Sequence, residues 1–185
     1  MSNLDIVKDH RQGCKPLIEI YTINEPRRGE REYNMGNSLV KIDIHLIFHI
    51  KSTGIKLHER DLNDIFAYIG GIIKGAHGIP IEIGGRPDHI HILTTLPKTI
   101  ALSEFVRIIK SNSSKWIKTK NIGYKHFEWQ EGYGAFSVSS TLLDKTINYI
   151  RSQEEHHTKR NTKEEYKMFL DAYGIEYDEQ YLIDD

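Results

Sequence analysis

The sequence predicts an α+β fold, an antiparallel sheet with helices packed on one face. Three observations predict it. Residues 39–51 alternate in polarity with a period of two, as a strand does. Two longer stretches repeat their apolar residues at helical spacing. The segments run strand, helix, strand, strand, helix, strand, which is the ferredoxin-like (RRM-like) arrangement, and an added C-terminal helix follows.

The elements follow in chain order. In VKIDIHLIFHIK, Ile42, Ile44, Leu46, Phe48 and Ile50 alternate with Asp43, His45, Ile47, His49 and Lys51, the pattern of a half-buried strand. HERDLNDIFAYIGGIIKGAHG then places Leu62, Ile65, Phe66, Ile69, Ile72 and Ile73 on one helical stripe, with Gly75 and Gly78 suited to its end. IPIEI and DHIHILTT read as two short strands, and GGRP between them as the turn of a hairpin. A second helix is expected from Leu102 to Ile117, its stripe made by Leu102, Phe105, Val106, Ile109, Trp116 and Ile117. After the irregular aromatic stretch YKHFEWQEGYG, AFSVS reads as a strand. Ser139, Ser140 or Thr141 is placed to cap a third helix carrying Leu142, Leu143, Thr146, Ile147 and Ile150.

The chain has 185 residues, which suits one domain with extensions. Residues 1–38 are polar and aperiodic and read as an N-terminal extension, residues 39–160 as the domain, and residues 161–185 as a C-terminal extension. A single cysteine, Cys14, excludes an internal disulfide and a multi-cysteine zinc site. No apolar run approaches the ~18 residues of a membrane span. MSNLDIVKDHRQG has no apolar signal core, so a cytoplasmic protein without a membrane partner is expected. The net charge of −1 hides an asymmetry. Arg107, Lys110, Lys115, Lys118, Lys120 and Lys125 share a stretch with no acid, whereas GIEYDEQYLIDD at the end is acidic. A basic run is often only a solvated helix face.

RPDHIHIL places two imidazoles on one strand. Alternation sends His89, His91 and Leu93 to one face and leaves Ile90 and Ile92 to pack on the helices. Two neutral imidazoles about 7 Å apart along a strand can grip one metal ion; hydrogen-bonded sheet histidines without metal are the plainer alternative. By ligand type alone two histidines favour zinc. Further on, in TINYIRSQEEHH, Tyr149 and Gln153 are four apart and project from one helix face. His156 and His157 read as a wet helix end.

Taken together, DHIHIL, the basic helix with SNSSKWI, FEWQEGYGAFSVS and YIRSQ resemble the single-tyrosine transposases of the HUH nuclease superfamily, small enzymes of the simplest bacterial insertion sequences. The resemblance covers residues 39–182. It implies a DNA transposase that cuts and rejoins single-stranded DNA at hairpin-bearing element ends, without ATP, through a 5′-phosphotyrosine. By resemblance Tyr149 is the nucleophile, and His89, His91 and Gln153 hold Mg²⁺ or Mn²⁺. Phosphate contacts are then expected from Arg107, Lys110, Lys115, Lys118 and Lys120, and base stacking from Trp129 and Tyr133, with Phe136 expected in the core. The implied partners are single-stranded DNA with a hairpin and, in a homodimer, a second copy of the chain. The implied location is the cytoplasm, at the nucleoid when on DNA.

The sequence also departs from the family. Some members carry a glycine hinge just before the catalytic helix, where this chain has SVSST, which weakens the expectation of helix exchange between protomers. The two extensions fit a chromosomal relative that serves dispersed palindromic (REP-type) repeats. From another class, a catalytically silent nucleic-acid-binding module would explain the basic helix but not the coincidence of His89, His91, Tyr149 and Gln153. A hydrolase using water as nucleophile would need no Tyr149.

Overall fold

The structure, a computed structural model, describes residues 39–51, 55–153 and 162–178. The expected N-terminal extension, His156 and His157, and the end of the acidic tail lie outside the described residues.

The sheet contains β1 (Asp43–His49), β2 (Ile79–Arg86), β3 (His89–Thr95) and β4 (Gly134–Val138). Its order is β2-β3-β1-β4 with every neighbour antiparallel. Helices α1 (Glu59–Gly75) and α2 (Leu102–Lys120) cover one face. There Ile44, Leu46 and Phe48 of β1 and Ile90 and Ile92 of β3 meet Ile65, Ile69 and Ile73 of α1 and Phe105 and Ile109 of α2. Burying each such side chain contributes about 1.5–3 kcal/mol. This is the predicted fold class.

β1 is not half-buried as its alternation suggested: all seven of its residues are buried. The reason is a second layer. Helix α3 (Leu143–Arg151) and helix α4 (Thr162–Ala172) lie on the other face. Tyr166, Phe169 and Leu170 of α4, spaced i, i+3, i+4, pack on Ile47 and Phe136. Beyond α4, the Tyr173 hydroxyl donates to the Ser137 carbonyl at 2.7 Å, tying the chain to the edge strand. Helix α4 thus falls in the stretch expected to be a C-terminal extension and packs against the domain.

Two further expectations change. Gly84 and Gly85 belong to β2, and the turn is made by Pro87 and Asp88. Gly84 pairs with His91, so its missing side chain would point to the second face. A Cβ there would stand 2.8 Å from Cγ2 of Ile150 and 2.9 Å from its carbonyl oxygen. Gly85 has φ 150°, and a Cβ on it would run into the His89 carbonyl. The serines and threonine before α3 do not cap it. A 3₁₀ turn, Ser140–Leu142, intervenes; Ser139 Oγ lies 2.9 Å from Thr141 Oγ1, and the N-cap is Leu142.

Candidate active site on the histidine face

The second face carries more than the predicted pair of histidines. His45 and His49 of β1 and His89 and His91 of β3 all point to it and are all buried. In the register His49 stands opposite His89, and Ile47 opposite His91. The rings of His89 and His91 are 5.0 Å apart between centroids and nearly perpendicular. One nitrogen of each is engaged. Nδ1 of His89 is 2.7 Å from Oδ1 of Asp88, and Nδ1 of His91 is 3.0 Å from Nε2 of His45. The other nitrogen of each ring is Nε2.

Helix α3 brings Tyr149 to the same place. Its ring meets His91 edge-on at 5.7 Å between centroids, and also lies against His45 and Phe169. Ile150 seats the helix on Gly84, and Arg151 Nε donates to Glu82 Oε2 on β2 at 2.8 Å. Gln153 follows one turn after Tyr149 and is buried. Among the described residues, the buried side-chain polar atoms that make no hydrogen bond are Nε2 of His89, Nε2 of His91 and Oε1 of Gln153. Leaving such atoms without a hydrogen bond is costly, and a metal-binding set of donors would account for all three. No group of three or more His, Cys, Asp or Glu is placed to hold a metal among the described residues. An amide oxygen as third donor fits that composition.

Burial sets the electrostatics. It lowers the pKa of His45 to about 4. His49 is lowered to about 3, first by burial, then by His89 and Lys110 against the opposing pull of Asp88. Both are neutral near pH 7. Burial pushes the Asp88 carboxyl up, but its hydrogen bond and attraction to His89 outweigh this and hold it below the ordinary carboxylate range.

The predicted phosphate-contacting residues lie on α2, across the sheet from the histidines. Lys110 is a structural tie. Its Nζ donates to the carbonyls of Gln130 (2.7 Å) and Gly132 (2.5 Å), holding the loop before β4, and burial lowers its pKa to about 8. Lys120 is held by Asp64 at 2.6 Å and Asp61 at 3.7 Å. Arg107 pairs with Glu104. Lys115 and Lys118 are exposed. Lys51, Arg107, Lys118 and Tyr133 line a surface cleft of about 720 Å³ between α2 and the loop before β4. Trp129 is buried between Phe48 and Phe127, with Nε1 donating to Ser113 Oγ at 2.9 Å, so its faces are not available to bases. Tyr133 is on the surface, and Phe136 is core, as expected.

His45, His49 and Asp88 escaped the sequence reading. For the histidines the cue was present: His45 and His49 lie four residues apart in β1, so a period of two sends both to one face, as it does His89 and His91 in β3. Tyr166 and Phe169 were hidden in a segment read as a tail.

The model of the family described as "Transposase IS200 like" matches residues 38–153, which include β1 to β4, Tyr149 and Gln153. No curated protein matches the chain. Among solved structures, one is described as a transposase from Deinococcus radiodurans R1. It is 19% identical with a TM-score of 0.50, and covers 64% of this chain and 95% of its own. Another is a REP-associated tyrosine transposase bound to a REP hairpin. It is 16% identical with a TM-score of 0.50, and covers 66% of this chain and 72% of its own. At those identities the solved structures establish the fold. The family match spans more than half of the sequence and contains the histidine face, and by it the chain belongs to the IS200-like transposases.

Proposed function

We propose that this transposase cuts and rejoins single-stranded DNA with Tyr149 as nucleophile and with a divalent cation held by His89, His91 and Gln153. The observation that carries the reading is the convergence on one sheet face of Tyr149 and two histidines whose Nδ1 atoms are both committed elsewhere. Nε2 of His89, Nε2 of His91 and Oε1 of Gln153 would be the ligands, with Mg²⁺ or Mn²⁺ favoured by the family. When bound, the ion supplies Lewis-acid stabilisation of charge on the phosphate oxygens.

Tyr149 Oη would form a bond to phosphorus as the bond from phosphorus to the 3′ oxygen breaks. The phenol loses its proton and the departing 3′ oxygen gains one, so a phosphodiester becomes a 5′-phosphotyrosine and a 3′-hydroxyl. Attack by another 3′-hydroxyl reverses the step and rejoins DNA, with no external energy source. His91, Phe169 and His45 all pack against the Tyr149 ring, and this packing would restrict the direction of attack. We expect a folded hairpin in the substrate, in line with the hairpin held by the REP-associated transposase. Phosphate contacts are expected from the exposed cations of α2, Arg107, Lys115 and Lys118, and a cytoplasmic setting goes with this activity. None of the helices among the described residues is long and apolar enough to cross a membrane.

The test uses single-stranded DNA from the flanks of the gene. The wild-type protein with Mg²⁺ should give a denaturant-resistant protein–DNA adduct. Tyr149→Phe should give none, while still binding hairpin DNA. Chelator should suppress the wild-type adduct and added Mn²⁺ should restore it. An adduct formed at the normal rate by the Phe variant would overturn the assignment of the nucleophile.

A further inference from the structure

We propose that His45 is a positioning residue that holds His91 in the one tautomer able to offer Nε2 to a cation; this rests on the metal site proposed above. The family match and the catalytic reading give His45 no role.

Proton count decides between the two tautomers of His91. A neutral imidazole carries one N–H and one lone pair. Nδ1 of His91 and Nε2 of His45 are 3.0 Å apart, and both residues are buried, so water does not compete for either atom. One of the two must donate. If His45 donates, His91 accepts at Nδ1, its proton sits on Nε2, and the metal-facing lone pair is gone. If His91 donates from Nδ1, its Nε2 keeps the lone pair. Only the second arrangement suits a ligand.

His89 offers the comparison. Its Nδ1 faces the Asp88 carboxylate at 2.7 Å, and an ionised carboxylate can only accept. The two ligands are therefore oriented by two different acceptors, one from the β2–β3 turn and one from β1. The ring of His45 is itself held. It lies near the plane of the His91 ring, at an interplanar angle of 26° and 5.1 Å between centroids, as an in-plane N–H···N bond requires, and Phe169 and Tyr149 pack at steep angles against it. Since Tyr149 touches both His45 and His91, one ring contact network links the nucleophile to the orientation of a ligand.

The experiment uses the full chain without and with metal. In ¹⁵N-labelled protein, long-range ¹H–¹⁵N correlation reports which nitrogen of each histidine is protonated. Mn²⁺ affinity is then measured by calorimetry for wild type, His45→Gln, His45→Leu and His91→Ala. His91 in metal-free wild type should carry its proton on Nδ1. His45→Leu, which has no acceptor, should mix the tautomers and weaken Mn²⁺ binding by about 10–100-fold. His45→Gln, which keeps an acceptor oxygen, should stay near wild type on both readouts. A proton on Nε2 of His91 in wild type would overturn the proposal without any variant. So would equal losses in the Gln and Leu variants, or wild-type affinity in His45→Leu alongside impaired His91→Ala. Mn²⁺ binding that ignores His91→Ala would instead sink the metal site itself.

Discussion

Ile150 sits directly over Gly84. Its Cγ2 and carbonyl oxygen lie 2.8 and 2.9 Å from the place where a Cβ on Gly84 would stand. Gly84 in turn pairs with His91 on β3, so the glycine sets how closely α3 approaches the strand that carries His89 and His91. Gly84→Ala should push the helix away, because the obstructing oxygen belongs to backbone and cannot rotate aside. Overpacking of this kind costs about 1–3 kcal/mol. Displacing Tyr149 by even ~1 Å should lower adduct formation by about 100-fold. A melting curve and an adduct assay on one preparation check both. Normal adduct yield in a destabilised Gly84→Ala would mean that the approach of α3 does not set the nucleophile.

Stability of the metal-free protein should fall in mild acid. His45 and His49 have pKa values of about 4 and about 3, both lowered by burial from 6.5. Above pH 6.5 neither carries a proton in the folded or the unfolded chain, so neither contributes. As pH falls from 6.5 towards 4, the unfolded chain takes up protons that the folded one refuses, and folding is opposed. Each should remove up to about 3 kcal/mol by pH 4, at about 1.4 kcal/mol per pKa unit. Denaturant unfolding at pH 7, 5.5 and 4.5 checks this, with His49→Gln expected to flatten the dependence. An identical slope in that variant would assign the acid sensitivity elsewhere.

The sheet, α1 and α2 were legible because their apolar residues recur at periods of two and 3.6, which depend only on local geometry. The pairing of His89 with His91 was legible for the same reason. The contact between His45 and His91 was not, since it joins residues 46 apart and exists only once β1 and β3 are in register. Gly84 and Gly85 were misread because glycine marks a turn and a close approach alike, and only the position of α3 separates the two. The spacing of Tyr166, Phe169 and Leu170 was visible, but the charged surroundings of α4 masked it. For Lys110 the sequence shows a cation in a basic run, and only the fold shows the three carbonyls around it.

That distinction separates the lysines of α2 experimentally. Lys110→Met removes the tie to the loop before β4 and should cost about 2 kcal/mol, the scale of a charged hydrogen bond. It should leave the salt dependence of DNA binding nearly unchanged. Lys118→Ala, at an exposed position, should leave stability alone and reduce the slope of log affinity against log salt by about one. Melting curves and binding titrations across salt concentrations check both. If Lys110→Met lowers the salt slope as much as Lys118→Ala does, Lys110 contacts phosphate despite its hydrogen bonds.

The proposed reaction predicts a strand preference from where Tyr149 lies. Its ring is partly buried, with His91 and His45 on one side and Phe169 of α4 on another. A stiff duplex cannot readily bend a backbone phosphate onto that partly buried ring, because its persistence length is about 150 bp and sharp bending costs several kcal/mol. A single strand can bend in, and its bases are open to contact by exposed aromatics such as Tyr133. Flank-derived single strands should therefore be cut, and the same strands annealed to their complements should not. Labelling each end in turn gives a second readout. The protein should remain on the 5′ side of the break, and the other product should carry a 3′-hydroxyl that a polymerase can extend. Equal cutting of duplex, or protein linked to the 3′ side, would show that the phenol of Tyr149 does not attack in the way proposed.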